Sequence, residues 1–194
     1  MEELFLNNNI DSSFISKETE ANSSNNASFE NQYLISSNLK DHIINAIVSN
    51  LKDIIKENKK NNKSKLILKD NIFYLEDLPP ISLEKFIQHL VKYTQMDIST
   101  LILAVIYMDE FCEKFKYILT LNNIYRLILI SVFIGLKYNE DIYVNEKSYA
   151  SIAGVSVEDL KYLEFQMCVA LDFSFFVKSE LYQQYFIYFC KYSA

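Results

Sequence analysis

The sequence predicts an all-α protein, on three observations. Apolar residues recur at helical spacing through most of the chain. Only two glycines, Gly135 and Gly154, and two prolines, Pro79 and Pro80, interrupt it. No stretch alternates apolar and polar residues in the manner of a half-buried strand, and SKLILKDNIFYLED, the one candidate, reads better as an extended connector. With 194 residues, half of them apolar, the chain is long enough for one domain with a sizeable core.

The elements follow in order. Residues 1–38 are acidic and rich in Asn and Ser, with no sustained period, and read as a disordered tail. Residues 39–60 carry Ile43, Ile44, Ile47, Leu51, Ile54 and Ile55 on one face, the mark of an amphipathic helix. Residues 61–79 form a linker and extended connector. Its lysines are dispersed among asparagines, which marks a solvated linker rather than an import signal. A run of helices then fills 80–176. Ser82 opens the first, Asp97 the second and Asn122 or Asn123 the third. A short helix covers 145–153, Gly154 breaks it, and Ser156 opens the next. A last amphipathic helix lies within 177–194.

Bulk chemistry narrows the function. The net charge of −6 disfavours non-specific binding to nucleic acid or an anionic membrane. The N-terminus lacks the layout of a signal peptide. The uncharged run at 127–136 falls short of the ~20 residues that cross a bilayer. Cys112, Cys168 and Cys190 are widely spaced and odd in number, as reduced thiols inside a cell would be, and a nuclear or cytoplasmic location is expected. With two histidines, no HExxH, no glycine-rich phosphate loop and no GxSxG, neither a metal nor a cofactor nor a small-molecule ligand is expected. Cys112 with His89 could be a nucleophile and its base, but a buried structural cysteine is the commoner arrangement. What remains is an interaction module rather than an enzyme.

One feature of the third helix asks for a reason. Its apolar run, LILISVFIGL, ends on a lone cation, Lys137, with Glu140 and Asp141 just beyond. From position alone Lys137 is either a helix-terminal cation meeting the dipole or a group aimed at a partner.

Four segments fall in an order that carries a resemblance: PPISLEKFIQHLVKY, AVIYMDEF, LNNIYRLILISVFIGLKYNEDIYVNEKSYASIAGV and VEDLKYLEFQMCVALDFSF. Tyr107 and Asp109 lie in the second helix. Asn123 and Arg126 open the third, and Lys137, Tyr138 and Asp141 close it. Tyr143, Asn145, Tyr149, Ala150 and Gly154 follow, then Leu160, Leu163, Glu164, Leu171, Asp172 and Phe173. In this order they resemble a cyclin box, specifically that of the P-type cyclins, the Pho80-like group with a single box. The resemblance implies a five-helix cyclin core with flanking N- and C-terminal helices. It implies a non-catalytic chain that activates a cyclin-dependent Ser/Thr kinase by receiving the kinase's mobile helix. Lys137 and Glu164 would then bond that helix's backbone, and Tyr138, Cys168, Phe173 and Phe175 would line the apolar face around them. A cyclin-fold scaffold with a non-kinase partner is the alternative.

The chain also departs from the pattern. Where many cyclins carry an arginine in the first helix that pairs with the aspartate of the second, His89 stands opposite Asp109, and the two are expected to pair. Gln88, Lys92 and Gln95 fall where cell-cycle cyclins present an apolar patch to substrates, so substrate recruitment by that route is not implied.

Overall fold

The structure, a computed structural model, describes residues 27–61 and 71–192, with side chains from residue 38 onward. Among the described residues there are seven helices and no strand: α1 (Ala27–Lys60), α2 (Leu83–Thr94), α3 (Ile98–Phe115), α4 (Leu121–Asn139), α5 (Glu146–Ala153), α6 (Val157–Ala170) and α7 (Ser179–Lys191). None is long and apolar enough to cross a membrane. The first helix differs from expectation. It begins at Ala27, inside the stretch whose composition reads as a tail, because extending an existing helix carries none of the cost of nucleating one. Residues 1–26 of that tail and 62–70 of the linker lie outside the described residues.

The two central helices are buried nearly all round, as their unbroken apolar runs require. From residue 100 to 112 of α3 only Glu110 is partly open, and from 123 to 136 of α4 only Arg126 is. They pack closely at Gly135, where a Cβ would stand 3.2 Å from the Thr100 carbonyl oxygen and 3.3 Å from its methyl carbon. The other helices wrap this pair. α6 lies against α4, α7 against α3 and α1, and α2 against α1 and α5.

Caps set most boundaries. The Ser82 hydroxyl accepts the Lys85 amide at 3.3 Å, Asn145 accepts that of Ser148 at 3.0 Å and Ser156 that of Asp159 at 2.9 Å. Gly154 ends α5 with φ of 72°, a left-handed conformation in which its missing side chain is an advantage. Two expectations are corrected. α4 opens at Leu121, earlier than either asparagine, and Asn123 reaches back from the first turn to accept the Thr120 amide at 2.9 Å. Asp97 occupies the N-cap of α3, but its side chain makes no capping bond.

Arg126 and Tyr149 of the motif set, with Asn122 beside them, hold the frame. The Arg126 guanidinium donates to the Ile72 carbonyl at 2.5 Å, and the Asn122 side chain donates to that of Leu75 at 2.7 Å, fastening the connector across the start of α4. The buried Tyr149 hydroxyl donates to the Leu129 carbonyl at 2.6 Å, and its ring packs on Phe133, 4.6 Å between centroids.

Candidate functional site

The exposed end of α4 and the outer side of α6 meet in a small polar spot inside an aromatic surround. Helix α4 is held by its buried run, so its last turn emerges at a fixed height, and there Lys137 reaches across to α6. Its ammonium lies 2.6 Å from Glu164 Oε1, and the two side chains are 33% and 18% exposed. The ammonium also stands over the Phe133 ring, 5.2 Å from its centroid, one turn back along α4. Burial alone would lower the lysine's pKa. The Glu164 hydrogen bond and charge outweigh it, aided by Glu146 and Tyr143, and the net direction is upward. The lysine therefore keeps its charge throughout the physiological range.

Aromatic and apolar groups ring the pair. Tyr138 is about half exposed at 52%. Cys168 lies one turn beyond Glu164 and is partly buried. After α6 the chain turns sharply through Asp172 and Phe173, both with positive φ, 53° and 55°. Such a pair is unusual for non-glycine residues, and it throws the Phe173 ring into solvent at 63% exposure. Asp172 is tied to Lys114 at 2.5 Å. Phe175 turns the other way, half-buried edge-on against Tyr107 with 5.6 Å between centroids. Its carbonyl accepts the Tyr107 hydroxyl at 2.9 Å. All six residues expected at the site thus lie on or beside one surface made by the end of α4, the outer side of α6 and the turn that follows. Sequence reasoning missed Phe176, 75% exposed, and the outward stripe of Tyr162, Phe165 and Val169 on α6. The signal was present, since α6 is apolar on both sides and a helix of that kind is normally covered on both.

The family model for Cyclin matches residues 6–175, most of the chain. The chain belongs to the cyclin family. It is similar to Cyclin-U2-1 of Arabidopsis thaliana, 25% identical over 118 residues, which is 60% of this chain and 53% of the relative. It is similar to Cyclin-U4-1 of the same plant, 28% identical over 120 residues, 61% of this chain and 59% of the relative. Cyclin-P3-1 of Oryza sativa subsp. japonica is 28% identical over 114 residues, 59% of this chain and 48% of the relative, in keeping with the P-type resemblance. The chain spans about half the length of the curated relatives it matches.

In this cyclin the pairing of His89 with Asp109 is not formed. His89 Nε2 donates to the Ile152 carbonyl on α5 at 3.1 Å, and its ring tilts against Tyr93. Asp109 is buried and accepts the hydroxyl of Tyr185 on α7. The reason is the packing: α2 lies against α1 and α5, whereas Asp109 is on the side of α3 that α7 covers. The outward side of α2 shows Gln88, Lys92 and Gln95 exposed, as expected, but with Tyr93 exposed beside them. Gln88 and Lys92 line a cavity of about 480 Å³ together with Lys40 and Asp41 of α1, and a second of similar volume, lined by Phe86, His89, Tyr125 and Ile152, lies among α2, α4 and α5.

Cys168 offers a chemical probe of the face. Burial raises its thiol pKa first, the Glu164 charge adds to this, and Lys137 opposes without cancelling it. The native state therefore keeps this proton to higher pH than the unfolded chain. The associated stability is constant below the unfolded thiol value of ~8.5 and falls above it. Iodoacetamide at pH 7.5 is expected to modify Cys168 severalfold more slowly in the native than in the urea-unfolded protein. The rate should climb as pH passes 9, and the buried Cys112 should stay unmodified. Peptide mass spectrometry reads all three. Equal rates in the native and unfolded protein would show that the thiol is neither shielded nor shifted.

Proposed function

We propose that this cyclin is the activating, non-catalytic subunit of a cyclin-dependent Ser/Thr kinase, and that it receives the kinase's mobile helix on the face around Lys137 and Glu164. The observation that carries the reading is the charged pair itself, set at the rim of an exposed apolar surface. An ammonium has three donors, so Lys137 can bond carbonyl oxygens at a helix end while still touching Glu164. The second carboxylate oxygen of Glu164 can accept a backbone amide. Tyr138, Cys168 and Phe173, with Phe175 behind them, supply the apolar contact.

The kinase requires its β3 lysine to meet the glutamate of its mobile helix, which happens only with that helix swung in. A partner that binds only the swung-in form shifts the population toward it. Moving a helix from 1% to 99% swung-in takes about 5.5 kcal/mol of differential binding. Two charge-assisted hydrogen bonds contribute roughly 1.5–3 kcal/mol each, and apolar burial adds to them, so the face is sufficient in magnitude. Three free cysteines support action inside the cell, in the nucleus or cytoplasm. The acidic balance supports a protein partner rather than nucleic acid.

The test is reconstitution with a panel of purified cyclin-dependent kinases, measuring binding by calorimetry and phosphorylation of a generic Ser/Thr peptide. At least one kinase should bind and rise in activity by orders of magnitude. If none binds, the reading fails and the face belongs to a scaffold for a partner of another kind.

A further inference from the structure

The last turn of α4 carries the docking lysine, and it is fastened to the start of α3. Glu140, the residue that ends α4, turns its carboxylate onto the start of α3. Oε1 accepts the Asp97 amide at 3.0 Å and the hydroxyl of the fully buried Thr100 at 2.5 Å. Asn139 adds a bond from its side-chain nitrogen to Thr100 Oγ1 at 2.8 Å and another to Ser99 Oγ at 3.3 Å. The arrangement answers two needs at once. Helix α3 has no acidic residue in its first turn, and the Asp97 side chain makes no capping bond. Glu140 thus supplies from a neighbouring helix the accepting side chain that this N-terminus lacks, and it ties the end of α4 to the start of α3.

The position of the clasp gives it a second consequence. At about 100° per residue, Gly135 and Asn139 each lie roughly 160–200° around the helix from Lys137. Gly135 sits hard against Thr100 two residues before the lysine, and Asn139 and Glu140 grip Ser99, Thr100 and Asp97 two and three residues after it. These fastenings flank the backbone at Lys137 and Tyr138 on both sides. A helix end exposed to water would otherwise fray.

We propose that Glu140 is a positioning residue for partner docking, a clasp onto the N-terminus of α3 that fixes the angle at which Lys137 leaves α4. The proposal rests on the docking reading of Lys137, and it can fail independently of that reading.

The experiment measures affinity for the kinase retained in reconstitution, by calorimetry, for the full chain and its Glu140→Ala and Glu140→Gln variants. Each is also made in a Lys137→Ala background. Glu140→Ala is expected to weaken binding about tenfold. Glu140→Gln should stay within about twofold of wild type, because the amide oxygen can accept the same two bonds. In the Lys137→Ala background the Glu140→Ala change should add less than about twofold, since the group being positioned is gone. A merely structural role predicts the same loss in both backgrounds, and that result overturns the proposal, as does no loss in either. Amide hydrogen exchange gives a readout without the kinase: Glu140→Ala should speed exchange at residues 137–140 and leave α6 unchanged. If wild type binds no kinase, the docking reading fails, and unchanged exchange at Lys137 would then overturn the clasp on its own account.

Discussion

Replacing Lys137 and Glu164 together by alanine is expected to weaken kinase binding by about a hundredfold or more, with little change in stability. The two effects separate because they draw on different interactions. Within the free chain the pair is a partly exposed ion pair, 33% and 18% open, and pairs of that kind contribute about 0–1 kcal/mol. Toward a partner, each group makes charge-assisted bonds in a contact from which water is excluded. Two bonds at roughly 1.5–3 kcal/mol each correspond to a factor between ~10² and ~10⁴. Calorimetry on the double variant and both single variants, with melting curves beside them, checks both halves. The raised lysine pKa fixes the pH behaviour: stability from this group is full below the unfolded lysine value of ~10.4 and is lost as pH rises through the folded one. Neither docking nor stability should therefore titrate on Lys137 between pH 6 and 9. Tight binding by the double variant would remove Lys137 and Glu164 from the interface.

The largest stability effect is expected at Phe133. Its ring is fully buried, lies 4.6 Å from the ring of Tyr149 and forms the floor beneath the Lys137 ammonium. Phe133→Ala removes the transfer energy of the ring and leaves a cavity between α4 and α5, at a cost of about 3–5 kcal/mol. For a domain of this size that lowers the melting temperature by about 10 °C or more. Phe133→Leu keeps most of the volume and should cost about half as much, but it removes the π face beneath the ammonium. A melting series over wild type, Phe133→Leu and Phe133→Ala orders the three. A drop below about 1 kcal/mol for Phe133→Ala would mean that the core at this point is not packed as described.

Much of the frame and part of the site could be read in the sequence, and the division has a physical basis. Helical spacing of apolar residues is a local property, so α2 to α7 were legible, as was the emergence of Lys137 from a buried run. That Lys137 and Glu164 belong to one face was legible only through the order of motifs, and their ion pair was not legible at all, because which side of α6 turns toward α4 is a tertiary fact. The same limit explains the misplaced pair. His89 and Asp109 are plausible partners by type, but α2 and α3 present them to different neighbours, α5 and α7. Glu140 shows the limit most sharply. Its carboxylate looks like one more solvated acid after a helix, and only the close approach of α4 to α3 at Gly135 reveals that it caps another element. Phe175 and Phe176 are alike in sequence, and the two consecutive left-handed residues before them decide which faces inward.

The long first helix and the last helix hold each other across nearly the whole chain. Asn50 donates to the Tyr188 hydroxyl at 2.7 Å, the Tyr192 hydroxyl to Asp53 at 2.8 Å, and His42 to the Cys190 carbonyl at 3.1 Å. On the ribosome, at ~5–20 residues per second, α1 must therefore stand for many seconds without its closing partner. Its apolar face can settle early on α2 and α3, but its outer wall is completed only when α7 emerges. Contacts so distant in sequence also slow folding, because a large loop must close before they form. The newborn chain thus passes through an interval in which the core is assembled and one seam is open, and it is during that interval that chaperones or a waiting partner would meet it.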